Sequence, residues 1–251
     1  MSEYKICLLT DIHLPRRGEK AMEVDTYKNL ENVIQRIIGE QPDYIINAGD
    51  ICFKEPVEET YLWFKNYMDS LNIPYSTIVG NHDDSKMMAS IVHPELNFNK
   101  DTNELYYVKY INGIKFIFLD SGRGELSDQQ WEWFRSELEN DEAKYIIMHH
   151  PPVEAHVPHM DIRYSFNQSE RFLNLLAAHK GEITIFTGHY HVERTILKPD
   201  FNIFITPSCF VQIDDRYEEF QADHKYPCFR NIYIEREGTE MISTVKYLYN
   251  N

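Results

Sequence analysis

Short apolar runs alternate with amphipathic stretches through the first half of the chain. The runs at residues 6–10, 44–48 and 75–79 have the length of buried strands. Between them, residues 26–38 carry apolar side chains at the i, i+3, i+4 spacing of a helix, and residues 57–71 are also typical of a helix. This βαβαβ order predicts a mostly parallel sheet flanked by helices.

The second half is richer in strands. Residues 105–110 and 114–119, joined at Asn112-Gly113, predict a β-hairpin. Ser127 is expected to cap a helix over 127–139, with Gln130 completing a capping box. The stretch 151–167 is too irregular to predict regular structure, and the remaining elements are a helix at 168–179 and strands at 145–148, 183–187, 193–197, 201–206, 229–235 and 241–247. The pattern indicates an α/β fold of two packed sheets with helices outside, in a single domain over residues 1–251.

Polar clusters follow five of the predicted strands directly. In α/β sheets, ligands bind just beyond the carboxyl ends of the strands, so these five clusters should meet at one rim. In chain order the clusters contain Asp11 and His13; Asp50; Asn81 and His82; His149 and His150; and His189 and His191.

The residue types in these clusters favour metal ions. Asp50 has two carboxylate oxygens and can bridge two ions, while Asn81 offers a neutral amide oxygen suited to hard divalent cations. Mixed imidazole and carboxylate ligands favour iron or manganese, with zinc as an alternative. Taken singly, each cluster could instead be a cap or a turn. Five such clusters at strand ends predict a metal site, and a shared carboxylate suits two ions.

Composition and charge narrow the class of protein. The net charge of −15 argues against a nucleic-acid partner, because phosphate backbones bind basic surfaces. No apolar stretch has the length of a signal segment or a membrane span. The four cysteines are scattered without a CxxC pair, so we expect a reduced, cytoplasmic protein.

The ordered series D-x-H, G-D, G-N-H-D, H and G-H-x-H resembles the calcineurin-like metallophosphoesterase superfamily over residues 6–191. The resemblance implies a four-layer α/β/β/α sandwich, with two mixed sheets flanked by helices, and a dinuclear metal centre. It also implies two ligand sets that share one carboxylate: Asp11, His13, Asp50 and His191 for the first ion, and Asp50, Asn81, His149 and His189 for the second.

The same resemblance implies a catalytic role for His82, off the metals and in contact with the phosphate. A general acid needs a nitrogen free of metal within reach of the leaving oxygen. Of the neighbouring pair His149 and His150, the ligand is assigned to His149, which follows the strand at once, and His150 is expected in the pocket wall. Asn81, His82 and His150 are therefore the candidate substrate contacts.

The outer segments favour one branch of the superfamily. Residues 49–55 depart from the G-D-x-x-D-R-G of protein phosphatases, and His82 stands where lipid A precursor hydrolases usually carry Arg. Segments 148–152, 160–167 and 206–212 resemble the class III cyclic-nucleotide phosphodiesterases and glycerophosphodiesterases.

The resemblance to this branch implies hydrolysis of a small phosphodiester by a hydroxide that bridges the two ions. A phosphomonoesterase or nucleotidase on the same centre and a non-catalytic scaffold are the alternatives. Relatives in the branch are often dimers, so a homodimer stays open.

Overall fold

The computed structural model describes residues 3–139, 142, 144–235 and 240–249. Within these residues the strands are β1 (Glu3–Leu9), β2 (Tyr44–Asn47), β3 (Tyr75–Thr77), β4 (Tyr107–Ile111), β5 (Ile114–Phe118), β6 (Lys144–Ile147), β7 (Ile183–Thr187), β8 (Arg194–Leu197), β9 (Asn202–Ile205), β10 (Cys228–Glu235) and β11 (Met241–Tyr247). The helices are α1 (Thr26–Gly39), α2 (Glu58–Ser70), α3 (Ser85–Met87), α4 (Asp128–Glu137), α5 (Pro158–Arg163) and α6 (Ser169–Leu176), with a short π-helix at Met88–Val92. In this part of the chain no helix combines the length and the apolar character needed to cross a membrane.

The strands form two mixed sheets. The first has five strands in the order β11-β10-β1-β2-β3, and β1, β2 and β3 run parallel. The second has six strands in the order β4-β5-β6-β7-β9-β8, and β5, β6, β7 and β9 run parallel. Because the ligand-bearing segments follow parallel strands within each sheet, their carboxyl ends lie on one edge of that sheet.

Alternation along β5 shows how the layers stack. Phe116 and Phe118 point into the core shared with the first sheet, whereas Ile117 points into a second core that contains Trp131 of α4 and Phe172 of α6. Helices α1 and α2 pack into the first core. The predicted four-layer α/β/β/α sandwich with two mixed sheets is therefore confirmed.

One predicted irregular stretch contains a helix. The expectation of no regular structure across 151–167 is wrong, because α5 occupies Pro158–Arg163. Asp161 holds the start of this helix: its carboxylate accepts the backbone N–H of Ala155 at 3.0 Å and of Val157 at 2.7 Å. This short helix is stabilised by proline in its first turn and by a nearby carboxylate. It lacks the apolar periodicity by which longer helices are recognised in a sequence.

The cap of α4 is also built differently from the prediction. Ser127 is the N-cap as expected, and its hydroxyl accepts the N–H of Gln130 at 3.2 Å. Gln130 does not close the capping box, however. Glu104, far away in sequence, accepts the N–H of Ser127 at 2.9 Å and the side-chain amide of Gln130 at 3.0 Å. Gln130 is thereby free to bind the backbone of Asp120 at the end of β5.

Candidate metal centre

The ends of four strands, β1, β2, β6 and β7, bring six buried metal-type side chains together between the two sheets. We call this set the buried ligand cluster: Asp11, His13, Asp50, His149, His189 and His191. Donor atoms lie within 4.8 Å of one another in one group formed by Asp11, His13 and His191, and in another formed by Asp50, His149 and His189. A third group joins His13 and Asp50 to His82.

Distances within the cluster match those between ligands of one metal ion. Nε2 of His191 lies 3.2 Å from Oδ1 of Asp11, and Nε2 of His149 lies 3.3 Å from Oδ2 of Asp50. Nε2 of His13 lies 3.1 Å from Nε2 of His191. Neighbouring ligands in an octahedral shell with bonds of about 2.1 Å are separated by ~3 Å. The donor set therefore fits metal ions in both spacing and chemistry.

Backbone carbonyls fix the tautomers of three cluster histidines. Val211 O accepts from Nδ1 of His191 at 2.7 Å, Ala48 O from Nδ1 of His149 at 2.8 Å, and Tyr164 O from Nε2 of His189 at 2.9 Å. In each neutral ring the proton is then on the far nitrogen, and a lone pair is left on the nitrogen that faces the cluster.

His13 and His191 give a second reason for a cation. The Nε2 lone pair of neutral His191 faces Nε2 of His13, and Nδ1 of His13 is buried without a hydrogen-bond partner among the described residues. Two imidazole nitrogens that approach so closely are favourable neighbours when a cation, or a proton in its place, lies between them.

Electrostatics of the cluster also call for positive charge. Burial is the largest influence on the pKa of Asp11 and would raise it, but His191 lowers that pKa to about 2. Burial likewise opposes ionisation of Asp50, yet His149 holds its pKa well below the ordinary value. Conversely, burial would lower the pKa of His149, but Asp50 raises it to about 9. Both buried carboxylates thus depend on positive charge beside them, which a metal cation would supply.

His13 and His189 behave differently. Burial lowers the pKa of His13 to about 4 and of His189 to about 3, despite the carboxylates nearby. Both rings are therefore neutral at pH 7, which is the state required of an imidazole ligand.

Five residues of the buried ligand cluster have left-handed backbone conformations. The φ angles are 53° for Asp11, 51° for His13, 55° for Asp50, 65° for His189 and 52° for His191. Such values are uncommon for non-glycine residues and cluster at functional sites. The local turn at each strand end directs the next side chain into the rim instead of continuing the strand.

Glycines allow the close approach of two of these turns. A Cβ on Gly188 would lie 2.0 Å from Oγ1 of Thr10 and 2.6 Å from Oδ2 of Asp11. A Cβ on Gly80 would lie 2.1 Å from Oδ1 of Asp50. Only glycine can bring these backbone segments so near the carboxylates.

Asn81 and His82 lie on a more open part of the site, which we call the exposed turn (residues 80–82). Asn81 is exposed, with Oδ1 3.2 Å from Nε2 of His149. The N–H of His82 donates to Oδ1 of Asp50 at 2.9 Å, and its Nδ1 lies 3.0 Å from Lys54 O. The structure thus places both residues beside the buried ligand cluster.

Asp83 supports the exposed turn, a role that the sequence reasoning missed. Its carboxylate accepts the N–H groups of Ile51, Cys52 and Gly80 and the hydroxyl of Tyr61 at 3.0–3.1 Å. Burial raises the pKa of Asp83 to about 6. The signal was present, since Asp83 directly follows Gly-Asn-His, but its partners come from other segments.

The other histidines named in the sequence lie at the margins. His150 is buried, and its Nδ1 lies 3.3 Å from Oγ of Ser121, which also accepts the N–H of His149 and of His150. His159 is buried beneath Glu218 O, and His156 is exposed. The ring of His150 lies 4.1 Å from that of His189, but only His149 forms a group of closely spaced donor atoms with Asp50 and His189.

Comparison with known proteins gives a consistent result. The model of the calcineurin-like phosphoesterase family matches residues 4–193. A probable cyclic nucleotide phosphodiesterase of Fibrobacter succinogenes is 27% identical, over 98% of this chain and 94% of the relative. A probable glycerophosphodiester phosphodiesterase of Arcobacter nitrofigilis is 31% identical, over 75% of this chain and 72% of the relative.

Among solved structures, a dimetal phosphatase from Danio rerio superposes with a TM-score of 0.66 at 14% identity. The match covers 96% of this chain and 98% of that one. At this identity the likeness concerns the fold alone, and it agrees with the layered architecture described above.

Proposed function

The chain belongs to the calcineurin-like phosphoesterase family, a family of phosphoric ester hydrolases, and we propose that it hydrolyses a small phosphodiester at a centre of two metal ions. The observation that carries this proposal is the convergence of the buried ligand cluster into two groups that together contain six imidazole and carboxylate ligands. Asp50 supports two ions in particular, because its Oδ2 lies 3.7 Å from Nε2 of His13 and 3.3 Å from Nε2 of His149, which belong to different groups.

Two ligand sets follow from this arrangement. Asp11, His13 and His191 would hold the first ion, and His149, His189 and Asn81 the second, with Asp50 shared between them. Mixed imidazole, carboxylate and amide ligands favour manganese or iron, with zinc as a further candidate.

Metal ions bound here would lower the pKa of a water ligand and would attract an anionic ester by their positive charge. The chain's own residues supply orientation. The carbonyls of Ala48, Tyr164 and Val211 keep three imidazoles in the ligand tautomer, and Asp83 holds the exposed turn against the segment after Asp50.

His82 would protonate the leaving oxygen. Lys54 O accepts the proton on Nδ1, so Nε2 is the nitrogen from which a second proton can be delivered. The half-buried ring lies 5.2 Å from the ring of His13, next to the proposed centre. His82 is therefore close enough to act on a substrate that the metal ions hold.

A small phosphodiester is the substrate that the relatives support, since those reported above are named as phosphodiesterases. The net charge of −15 argues against nucleic acid as the partner. We further propose a cytoplasmic protein whose 251 residues form one domain, acting as a monomer or a homodimer.

The test compares bis(p-nitrophenyl) phosphate with p-nitrophenyl phosphate, using manganese-loaded protein and a chelator-treated control. We expect faster, metal-dependent cleavage of the diester. The matched variant is His82→Ala, whose metal content is measured beside its turnover, with exposed His156→Ala as its control.

Preference for the monoester would replace the proposal by a phosphatase or nucleotidase. Absence of turnover of both esters in protein that carries two ions would favour a non-catalytic scaffold.

A further inference from the structure

A pocket of about 460 Å³ lies beside Asn81, on the open side of the proposed centre. Three segments form its walls: the stretch from the end of β3 to the start of α3, the loop after β5, and Asn103 from the segment before β4. Asn81 is both a proposed metal ligand and part of this wall. A substituent of an ester bound at the centre would therefore lie next to the pocket.

The loop after β5 packs directly against the exposed turn. A Cβ on Gly122 would lie 2.9 Å from Gly80 O and 3.1 Å from Cγ1 of Val79. The loop after β5 thus lies against the backbone that carries Asn81, so the pocket borders the proposed centre at this residue.

The carboxylates in the wall are engaged by hydrogen bonds within the protein. Asp120 accepts the hydroxyl of Ser85 at 2.7 Å and the N–H groups of Leu105 and Gly122 at 2.8 and 3.1 Å. Asp83 accepts the four donors described above, and Asp84 accepts the N–H of Met87 at 2.7 Å. These groups shape the pocket and leave outward-facing polar groups to contact a ligand.

Lys86 and Arg123 are such groups. Both side chains are exposed and line the pocket, and within the described part of the chain neither forms an ion pair. Arg123 donates only a long hydrogen bond, 3.4 Å, to Asn103 O. In a chain of net charge −15, two cations without carboxylate partners at the edge of the centre are available to an oxygen-rich ligand.

The pocket offers donors and acceptors but no stacking surface, because none of its lining residues in the described chain is aromatic. A nucleobase is normally held by stacking on aromatic or apolar side chains. Hydroxyl groups, which both donate and accept, match a wall of amide, ammonium, guanidinium and carboxylate groups.

We propose that this pocket binds a hydroxyl-bearing alcohol substituent of the substrate, so that the preferred diester is an open-chain polyol phosphodiester such as a glycerophosphodiester, with Arg123 and Asn103 as specificity-determining residues. This inference rests on the proposed function, and it selects one substrate class within it.

Two symmetric diesters test the proposal without ambiguity about which end enters the pocket. Bis(glyceryl) phosphate carries a polyol at both ends, and bis(p-nitrophenyl) phosphate carries an aromatic ring at both ends. The quantity measured is the ratio of kcat/KM for the glycerol diester to kcat/KM for the nitrophenyl diester. It is determined for manganese-loaded wild type, Arg123→Ala, Asn103→Ala and the control Arg135→Ala, which removes an exposed arginine of α4.

We expect Arg123→Ala to lower this ratio by ~10-fold, mainly through KM, because hydroxyl groups lose a charged donor. Asn103→Ala should lower it less, and Arg135→Ala should leave it at the wild-type value. Wild-type protein should also cleave bis(glyceryl) phosphate faster than 3′,5′-cyclic AMP.

An unchanged ratio in both pocket variants, or a wild-type preference for cyclic AMP, would overturn the polyol pocket while the phosphodiesterase function stands. Absence of hydrolysis of every diester by protein carrying two metal ions would instead overturn the proposed function, and this inference with it.

Discussion

The buried ligand cluster and the exposed turn lie side by side, yet they are built in opposite ways. Every residue of the cluster is at most 8% exposed, whereas Asn81 in the turn is exposed and His82 is half-buried. Cluster histidines are oriented by backbone carbonyls from three different segments, while the backbone of the exposed turn is held by two carboxylates, those of Asp83 and Asp50.

This difference separates two tasks. A dry, rigid cluster suits metal binding, because its ligands are held in place before the ion arrives. An open turn suits contact with a substrate that must enter and leave. If the separation holds, variants of the cluster should lose metal first, and variants of the turn should lose turnover or selectivity first.

The largest effect is expected from Asp50→Ala, which removes the carboxylate that we propose is shared by the two metal ions. Both ions should be lost, because Asp50 forms donor groups with His13 and with His149, which belong to the two proposed ligand sets. Hydrolysis of bis(p-nitrophenyl) phosphate should fall below detection. Metal content by atomic spectroscopy is the measurement, with exposed Asp69→Ala as control. Retention of both ions with activity intact would contradict the shared role of Asp50.

Adding a methyl group at Gly188, next to the buried ligand cluster, should destabilise the protein by steric overlap. Gly188→Ala forces a Cβ into Thr10 and Asp11, so we expect a loss of about 1–3 kcal/mol in the free energy of unfolding together with reduced metal content. Gly39→Ala is the matched control, because its Cβ would meet nothing within 4 Å. Chemical denaturation of both variants decides the comparison, and equal stability would mean that the cluster is less rigid than described.

On the turn side, His82→Ala should keep both ions and lose turnover. Protonation of an alkoxide leaving group is worth about 10²-fold or more, whereas nitrophenolate leaves without a proton. The loss should therefore be larger for bis(glyceryl) phosphate than for bis(p-nitrophenyl) phosphate, as measured by kcat with metal content checked. Equal losses on the two esters would assign His82 to substrate binding instead of proton transfer.

The smallest effect is expected from Asp83→Asn. This change keeps the shape of the side chain but replaces one of the two acceptor oxygens by an NH2 group, so fewer of the surrounding donors can be bound. Affinity for one of the two ions should fall by about 10-fold, because a residue that supports a metal ligand typically contributes that much. Metal titration by calorimetry resolves the two binding events. Tyr61→Phe, which removes only one donor, should show a smaller change, and an equal loss at both sites would argue against a role confined to the turn.

Much of the fold and the cluster could be predicted from the sequence, because strand ends mark themselves locally. Asp11 and Asp50 follow apolar runs whose parallel strands end at one edge of the first sheet, and His149 and His189 do the same in the second sheet. The arrangement in two packed sheets was also predicted, because the late strands, β10 and β11 among them, are recognisable as strand-like runs in the sequence.

Features made by distant segments could not be predicted in this way. The cap of α4 depends on Glu104, and the polar pocket joins Lys86, Asn103 and Arg123, which no local pattern connects. Helix α5 is too short for periodicity to reveal it, and its start depends on Asp161. Left-handed turns at the ligands have no signature in the residue types either.

The position of the centre between the sheets has a consequence for folding. Asp11, His13 and Asp50 follow strands of the first sheet, whereas His149, His189 and His191 follow strands of the second. A bound ion would therefore link the two sheets as a cross-link does. Elsewhere the two sheets pack against each other mainly through apolar side chains. Loaded protein should then unfold as one cooperative unit, while chelated protein is free to open along the seam between its sheets.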